Sequence, residues 1–166
     1  MNNIVLIGMP GCGKSTTGVL VAKTLLKDFV DTDLLIQTHE GISLQEIINT
    51  KGIVYFEKIE ENVLSTLNCS NSVIATGGSA VYYPSAMKHL KSIGKVIYLK
   101  ISYENMLIRI NNIKTRGIVL KDNESLYEMY NKRVSLYEKY SDLTINCNSL
   151  NIEETVEAIT KYINNI

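Results

Sequence analysis

The chain of 166 residues carries 17 Lys+Arg against 17 Asp+Glu, so its formal net charge at pH 7 is zero. That length fits one domain of roughly 100–200 residues, able to fold without disulfides or a structural metal, and 45% hydrophobic content excludes a disordered chain. A neutral balance, without a run of about five or six like charges, excludes a protein that grips nucleic acid or an anionic membrane by bulk electrostatics, so any bound anion must be held locally.

Ile4-Val5-Leu6-Ile7 is a continuous apolar run ended by Gly8, the pattern of a strand buried on both faces. Residues 14–27 follow, with Val19, Leu20, Ala22, Leu25 and Leu26 at helical spacing. Phe29-Val30 reads as a brief strand stopped by Asp31-Thr32-Asp33. Ser43-Leu44-Gln45-Glu46 has the capping-box pattern, which predicts a helix running towards Gly52, joined by a second helical stretch over 55–67. Ser72-Val73-Ile74-Ala75 is another buried strand, halted by Thr76-Gly77-Gly78, and 84–93 reads as a helix with Pro84 near its start. Residues 95–101 make a fourth strand and 103–110 a helix, while 111–123 is polar and turn-prone, read as a mobile loop. A helix over 124–140, a weak fifth strand at Leu143-Thr144-Ile145, and a final helix capped at Asn151 complete the chain. Short buried strands alternating with helices imply parallel pairing with helices on both faces. The expected fold is therefore α/β and three-layered, in one domain spanning 1–166.

Cys12, Cys69 and Cys147 cannot all pair within one chain, and the apolar stretch from Ile4 to Met9 is too short for a secretory leader, so a cytoplasmic protein is expected. No apolar run approaches the ~18 residues of a membrane span. The cysteines and His39 and His89 are scattered, with no pair at metal-ligand spacing. The ten tyrosines form no periodic stripe and are read as core and surface filler.

Gly8-Met9-Pro10-Gly11-Cys12-Gly13-Lys14-Ser15 matches G-x-x-x-x-G-K-[ST], straight after a buried strand and opening a helix. Glycines let successive backbone N–H groups turn around a phosphate, the helix N-terminus adds its positive dipole end, and Lys14 supplies a full charge. Ser15 is placed to ligate Mg2+ on the nucleotide, and Gly11, Cys12, Gly13, Lys14, Ser15 and Thr16 form the expected nucleotide cradle. Cys12 is read as a small filler, with a redox brake on nucleotide binding as the alternative. The length leaves little room for a motor or helicase core, and no Asn-Lys-x-Asp guanine-reading element is present, so a nucleotide or metabolite kinase leads.

Across nearly its whole length the chain resembles the shikimate kinase family. Asp31-Thr32-Asp33 looks like that family's D-x-D, and Gly41-Ile42-Ser43 with Ile47-Ile48, Gly52, Phe56 and Glu60 is similar to its acceptor-binding segment, here about 33–61. Thr76-Gly77-Gly78 resembles the glycine motif after the third strand, and Arg109 and Arg116 resemble the adenine-side and lid arginines, the lid being about 111–123. Arg133-Val134-Ser135-Leu136-Tyr137 looks like the segment that contributes a substrate arginine.

The resemblance implies transfer of the ATP γ-phosphate to the 3-hydroxyl of shikimate, on a five-stranded parallel sheet with a mobile lid, in a monomer whose partners are ATP, ADP and a small hydroxylated metabolite. It gives Lys14, Asp33 and Arg116 catalytic roles, places Asp33, Gly77, Gly78 and Arg133 at the acceptor, and sets Asp31 beside Ser15 on the metal. Phosphoryl transfer needs these functions: charge neutralisation, an in-line hydroxyl and exclusion of water. Taken without the resemblance, the D-x-D also fits a turn or helix cap, Arg109 a solvated helix face, and Arg133 a surface pair on its helix.

The pattern departs at three positions. Phe56 is followed by Glu57 where family members carry an arginine that binds the shikimate carboxylate, Ser79 replaces the third glycine of the triplet, and Arg116 is followed by Gly117 instead of proline. The donor half is the better supported. Three readings stay open: a shikimate kinase, a related kinase whose acceptor lacks a carboxylate or carries a cation, and a nucleotide-binding regulatory protein without transfer activity.

Overall fold

The computed structural model describes residues 2–111 and 124–165. Five strands, β1 (Asn3–Ile7), β2 (Asp28–Asp31), β3 (Ser72–Ala75), β4 (Gly94–Lys100) and β5 (Leu143–Asn146), pair in the order β2-β3-β1-β4-β5. All four pairings are parallel, with Ile4 opposite Val73 on one side of β1 and Lys95 on the other. β1 and β3 are buried at every position, as the apolar runs that follow Asn3 and Ser72 require. β5 is an edge strand in which Ile145 is buried and its two neighbours are exposed, so it carries the weakest pattern in the sequence.

Eight α-helices and a short 3-10 turn (Ala80–Tyr82) among the described residues complete the fold: α1 (Lys14–Thr24), α2 (Thr32–Glu40), α3 (Leu44–Lys51), α4 (Ile53–Thr66), α5 (Pro84–Ile93), α6 (Tyr103–Asn111), α7 (Leu126–Tyr140) and α8 (Ile152–Asn164). α1 packs on β3 and on α8, while α5 and α7 pack on β4, giving the expected helix layers about the sheet. Capping boxes at Ser43, Ser125 and Asn151 start α3, α7 and α8, each pairing the cap side chain with a glutamate three residues on. α2 is the one helix the sequence pattern does not declare. Only Thr32 and Ile36 are buried along it, with Leu34 and Leu35 turned to solvent, so its apolar periodicity is blurred.

A large core joins the sheet to the surrounding helices. A second cluster, Ile36, Ile47 and Phe56, with Ile42, Leu44, Ile48, Ile59 and Val63 against it, is shared by α2, α3 and α4. The segment expected to bind the acceptor thus has an apolar centre of its own. All functional loops leave the carboxyl ends of the strands. The connection from β1 runs towards β2 and that from β3 crosses back to β4, so the crevice between β1 and β3 is the point where ligands bind in open α/β sheets. Apart from Asn111, which ends α6, the lid expected over 111–123 and Arg116 within it lie outside the described residues. No helix among the described residues is long and apolar enough to cross a membrane, and no disulfide joins the three cysteines.

Candidate active site

The phosphate loop begins where β1 ends. Gly13 holds φ at 99° as it enters α1, a left-handed conformation that a side chain resists. α1 has no side-chain cap and no acidic residue in its first turn, which leaves the N–H groups of that turn for an anion. Lys14, 7% exposed, folds over the loop and donates from Nζ to the carbonyls of Gly8 at 2.8 Å and Met9 at 2.9 Å, with Cys12 Sγ at 3.7 Å. Ser15 Oγ donates to Asp31 Oδ2 at 2.7 Å, bringing a hydroxyl from α1 against a carboxylate from the end of β2. Asp31 Oδ1 accepts the N–H groups of Asp33 and Leu34, so the residue caps α2 and still presents its other oxygen to Ser15. The helix-cap reading of the D-x-D is therefore met by Asp31, whose second oxygen faces the Ser15 hydroxyl.

On the other flank of the loop, Arg109 is half-buried on α6 and donates from Nη1 to the Gly11 carbonyl at 3.4 Å, so it does not lie on a solvated face. It lines a cavity of about 280 Å3 with Gly11, Cys12, Gly13, Thr16, Thr17, Cys147, Leu150, Asn151, Ile152 and Thr155. Burial pushes the Cys147 thiol up to about 11, which keeps it neutral near pH 7.

The residues expected at the acceptor come from three distant parts of the chain. Asp33, in the first turn of α2, lines a cleft of about 480 Å3 with Ser15, Asp31, Leu34, Gln37, Ser43 and Leu44. A methyl group added to Gly77 would strike Glu60 Oε1 and lie 3.1 Å from Asp33 Oδ1. One added to Gly78 would lie 3.0 Å from Arg133 Nη1 and 3.1 Å from Pro10 Cδ. Both glycines thus sit in close approach to neighbouring groups, closer than a simple turn demands. Arg133 is 2% exposed, donates from Nε to the Tyr82 hydroxyl at 3.4 Å and sits 5.2 Å over the Tyr82 ring. This corrects the surface-pair alternative for Arg133, because its helix turns that face towards the glycine turn. Tyr137, one helical turn on, donates its hydroxyl to the Gly78 carbonyl at 2.6 Å and stacks on Tyr98.

The resemblance names Glu60 and Tyr137 only as members of longer segments and gives neither a role, and it leaves Tyr82 and Tyr83 unmarked. Glu60 is 1% exposed and accepts Ser79 Oγ at 2.9 and 2.6 Å and the Tyr83 hydroxyl at 2.8 Å. Burial pushes its carboxyl up to about 7, with the charge of Asp33 adding to the rise and the Ser79 and Tyr83 hydrogen bonds and Arg133 opposing it. Burial also raises the hydroxyls of Tyr83 and Tyr137, which remain donors at any working pH. One signal was available in the sequence: Phe56, Glu60 and Leu64 form the buried i, i+4, i+8 stripe of α4, and a carboxylate inside such a stripe needs partners. Tyr82 and Tyr83 carry no such mark, and with Tyr137, which ends the Arg133 segment, they are more than filler, each hydrogen-bonding a residue of this turn region.

Three comparisons bear on this geometry. A family model described as shikimate kinase matches residues 10–164. A shikimate kinase from Clostridium botulinum (strain 657 / Type Ba4) is 41% identical over 98% of this chain and 96% of its own length. One from Caldanaerobacter subterraneus subsp. tengcongensis is 38% identical over 97% of this chain and 95% of its own. Among solved structures, a shikimate kinase from Acinetobacter baumannii in complex with shikimate superimposes with a TM-score of 0.90 at 31% identity, covering 98% of this chain and 93% of that one. The Aquifex aeolicus enzyme gives 0.83 at 32% identity, covering 98% and 96%. With the family model spanning the phosphate loop, the acceptor segment and α7, this chain belongs to the shikimate kinase family.

Proposed function

We propose that the chain transfers the γ-phosphoryl group of ATP to the 3-hydroxyl of shikimate, as a single-domain cytoplasmic monomer working with Mg2+. The observation that carries this reading is the position of Gly78 between Pro10 of the phosphate loop and Arg133 of α7, which supports a donor and an anion-binding arginine on either side of one turn. The Acinetobacter baumannii relative, so similar in fold, holds shikimate itself.

This reading gives each residue a task. Lys14 and the first turn of α1 neutralise the phosphates. Asp33 holds the acceptor hydroxyl and accepts its proton. Arg133 takes the acceptor carboxylate, Gly77 and Gly78 bring backbone to the acceptor, Arg109 and Thr16 flank the nucleotide, and Arg116 closes over the transferring group. Ser15 and Asp31 supply hard oxygen donors 2.7 Å apart, which suit Mg2+ carried in with the nucleotide. When bound, that ion neutralises phosphate charge and fixes its orientation.

A coupled ADP-release assay with shikimate, quinate, gluconate and homoserine tests the assignment. Turnover with shikimate is expected. No ADP above background with shikimate, alongside turnover on another acceptor, would overturn it in favour of the second reading, a related kinase of a different acceptor. That reading draws on Glu57, half-buried one turn before Glu60 and near enough to add to the rise of the Tyr83 hydroxyl. Silence with every acceptor while ATP binds would leave a nucleotide-binding regulatory protein.

A further inference from the structure

Behind the turn formed by Gly77 and Gly78 lies a buried polar unit with no part in holding the nucleotide. Glu60 comes from α4, Ser79 from the glycine turn and Tyr83 from the residue that precedes α5, and their three hydrogen bonds are 2.6–2.9 Å long. Oε1 of Glu60 points at the Cα of Gly77, on the side where Asp33 Oδ1 also approaches. Resting on the reading that an anionic acceptor docks on Arg133, we propose that Glu60 is a specificity-determining residue that makes acceptor binding proton-linked: the acceptor carboxylate docks with a proton taken up on Glu60.

The charges around Glu60 support this. α2 contributes Asp33, α7 contributes Arg133 and the neutral Tyr137, and the segment after β3 contributes Ser79, Tyr82 and Tyr83. On its own helix, Glu57 lies near Tyr83, and Glu61 is engaged by Ser85. α3 and α5 also pack on α4, but Lys51 of α3 bonds Glu40 and His89 of α5 bonds the Leu67 carbonyl. With Glu60 ionised, its charge offsets the pull of Arg133 on an incoming carboxylate. With Glu60 protonated, the guanidinium acts on the acceptor with that opposing charge removed.

Both forms of the carboxyl are satisfied. Ionised, it accepts from Ser79 and Tyr83; protonated by solvent, it donates to one of these hydroxyls, which rotates to accept. The carboxyl titrates near neutrality, pushed up to about 7 chiefly by burial. Below that pH the proton is already present and affinity is high. Above it, each pH unit makes the proton tenfold scarcer, so the apparent affinity for the anion falls by up to tenfold per unit.

The test measures KM for shikimate at saturating ATP from about pH 5.5 to about pH 9, with the native protein, Glu60→Gln and Ser79→Ala. Calorimetric titration of shikimate in buffers of different ionisation enthalpy counts the protons taken up. Expected is a KM that is level below about pH 6.5 and climbs above about pH 7, a level profile for Glu60→Gln, and an inflection moved to higher pH for Ser79→Ala, which removes a donor to the charged form. A purely structural role would change kcat and KM at all pH values and leave the inflection in place. A level KM in the native protein, a pH-dependent KM retained by Glu60→Gln, or an unmoved inflection in Ser79→Ala overturns the inference, the last deciding the matter if Glu60→Gln does not fold. ADP release that is absent at every pH overturns the shikimate reading itself, whereas turnover with a level KM overturns the proton linkage alone.

Discussion

Gly78 shows how much a single hydrogen atom in place of a methyl group decides. A Cβ there would lie 3.0 Å from Arg133 Nη1 and 3.1 and 3.2 Å from Pro10 Cδ and Cγ, so both the guanidinium and the phosphate loop would have to give. Gly78→Ala is expected to destabilise by about 1–3 kcal/mol through overpacking and to raise KM for the acceptor at least roughly tenfold by displacing Arg133. Thermal unfolding and steady-state kinetics measure the two effects, and a variant with native KM would show that Arg133 is not the acceptor's anchor. At this scale the sequence speaks unevenly. Lys14 and Ser15 are legible because their motif is contiguous and its neighbours in space are its neighbours in the chain. Glu60 meets Ser79 and Tyr83 across 19 and 23 residues, and Tyr137 reaches the Gly78 carbonyl across 59, so no local pattern tells which partners they take. Arg133 was found through its likeness to a family segment; its burial came from the way α7 lies against the turn.

Elements were easier to read where both faces are buried. β1, β3 and β4 present continuous apolar runs, whereas α2 hides behind an aspartate that ends one element and caps the next. Asp31 belongs to β2 by its backbone and to α2 by its side chain, and a chain-order reading stops at the first of these. The consequence is mechanical as well as descriptive. α2, α3 and α4 carry Asp33 at one end and Glu60 at the other, and they are joined by the Ile36, Ile47 and Phe56 cluster, apart from the main core. Ile47→Ala removes the centre of that cluster, where the side chain is fully buried. The variant should lose about 2–5 kcal/mol locally, seen as faster amide exchange in α2 to α4 with protection in the sheet retained. KM for the acceptor should rise while ATP affinity holds; uniform loss of protection across the sheet would mean that the two clusters unfold as one.

For the whole molecule, the neutral charge of the chain conceals the division of labour proposed across the β1–β3 crevice, with a donor side and an acceptor side. The donor side is built from the loop after β1, the end of β5 and α6, and its cations Lys14 and Arg109 both rest on phosphate-loop carbonyls. The acceptor side is built from α2, the turn after β3 and α7, so the two sides share the narrow contact of Pro10 with Gly78 and the bond from Ser15 to Asp31. Asp33 lies two residues beyond that bond, on the acceptor side, where its carboxylate shares the space over Gly77 with Glu60. Changing it to asparagine keeps the shape and removes the base, leaving Asp31, its capping bonds and the phosphate loop as they are. Asp33→Asn is therefore expected to lower kcat by about 100-fold or more, the usual scale for a lost general base, while the dissociation constant for ATP, read by fluorescence or calorimetry, stays within about twofold. Loss of ATP binding in step with kcat would mean that the crevice does not separate donor from acceptor, and retained kcat would remove Asp33 as the group that accepts the proton.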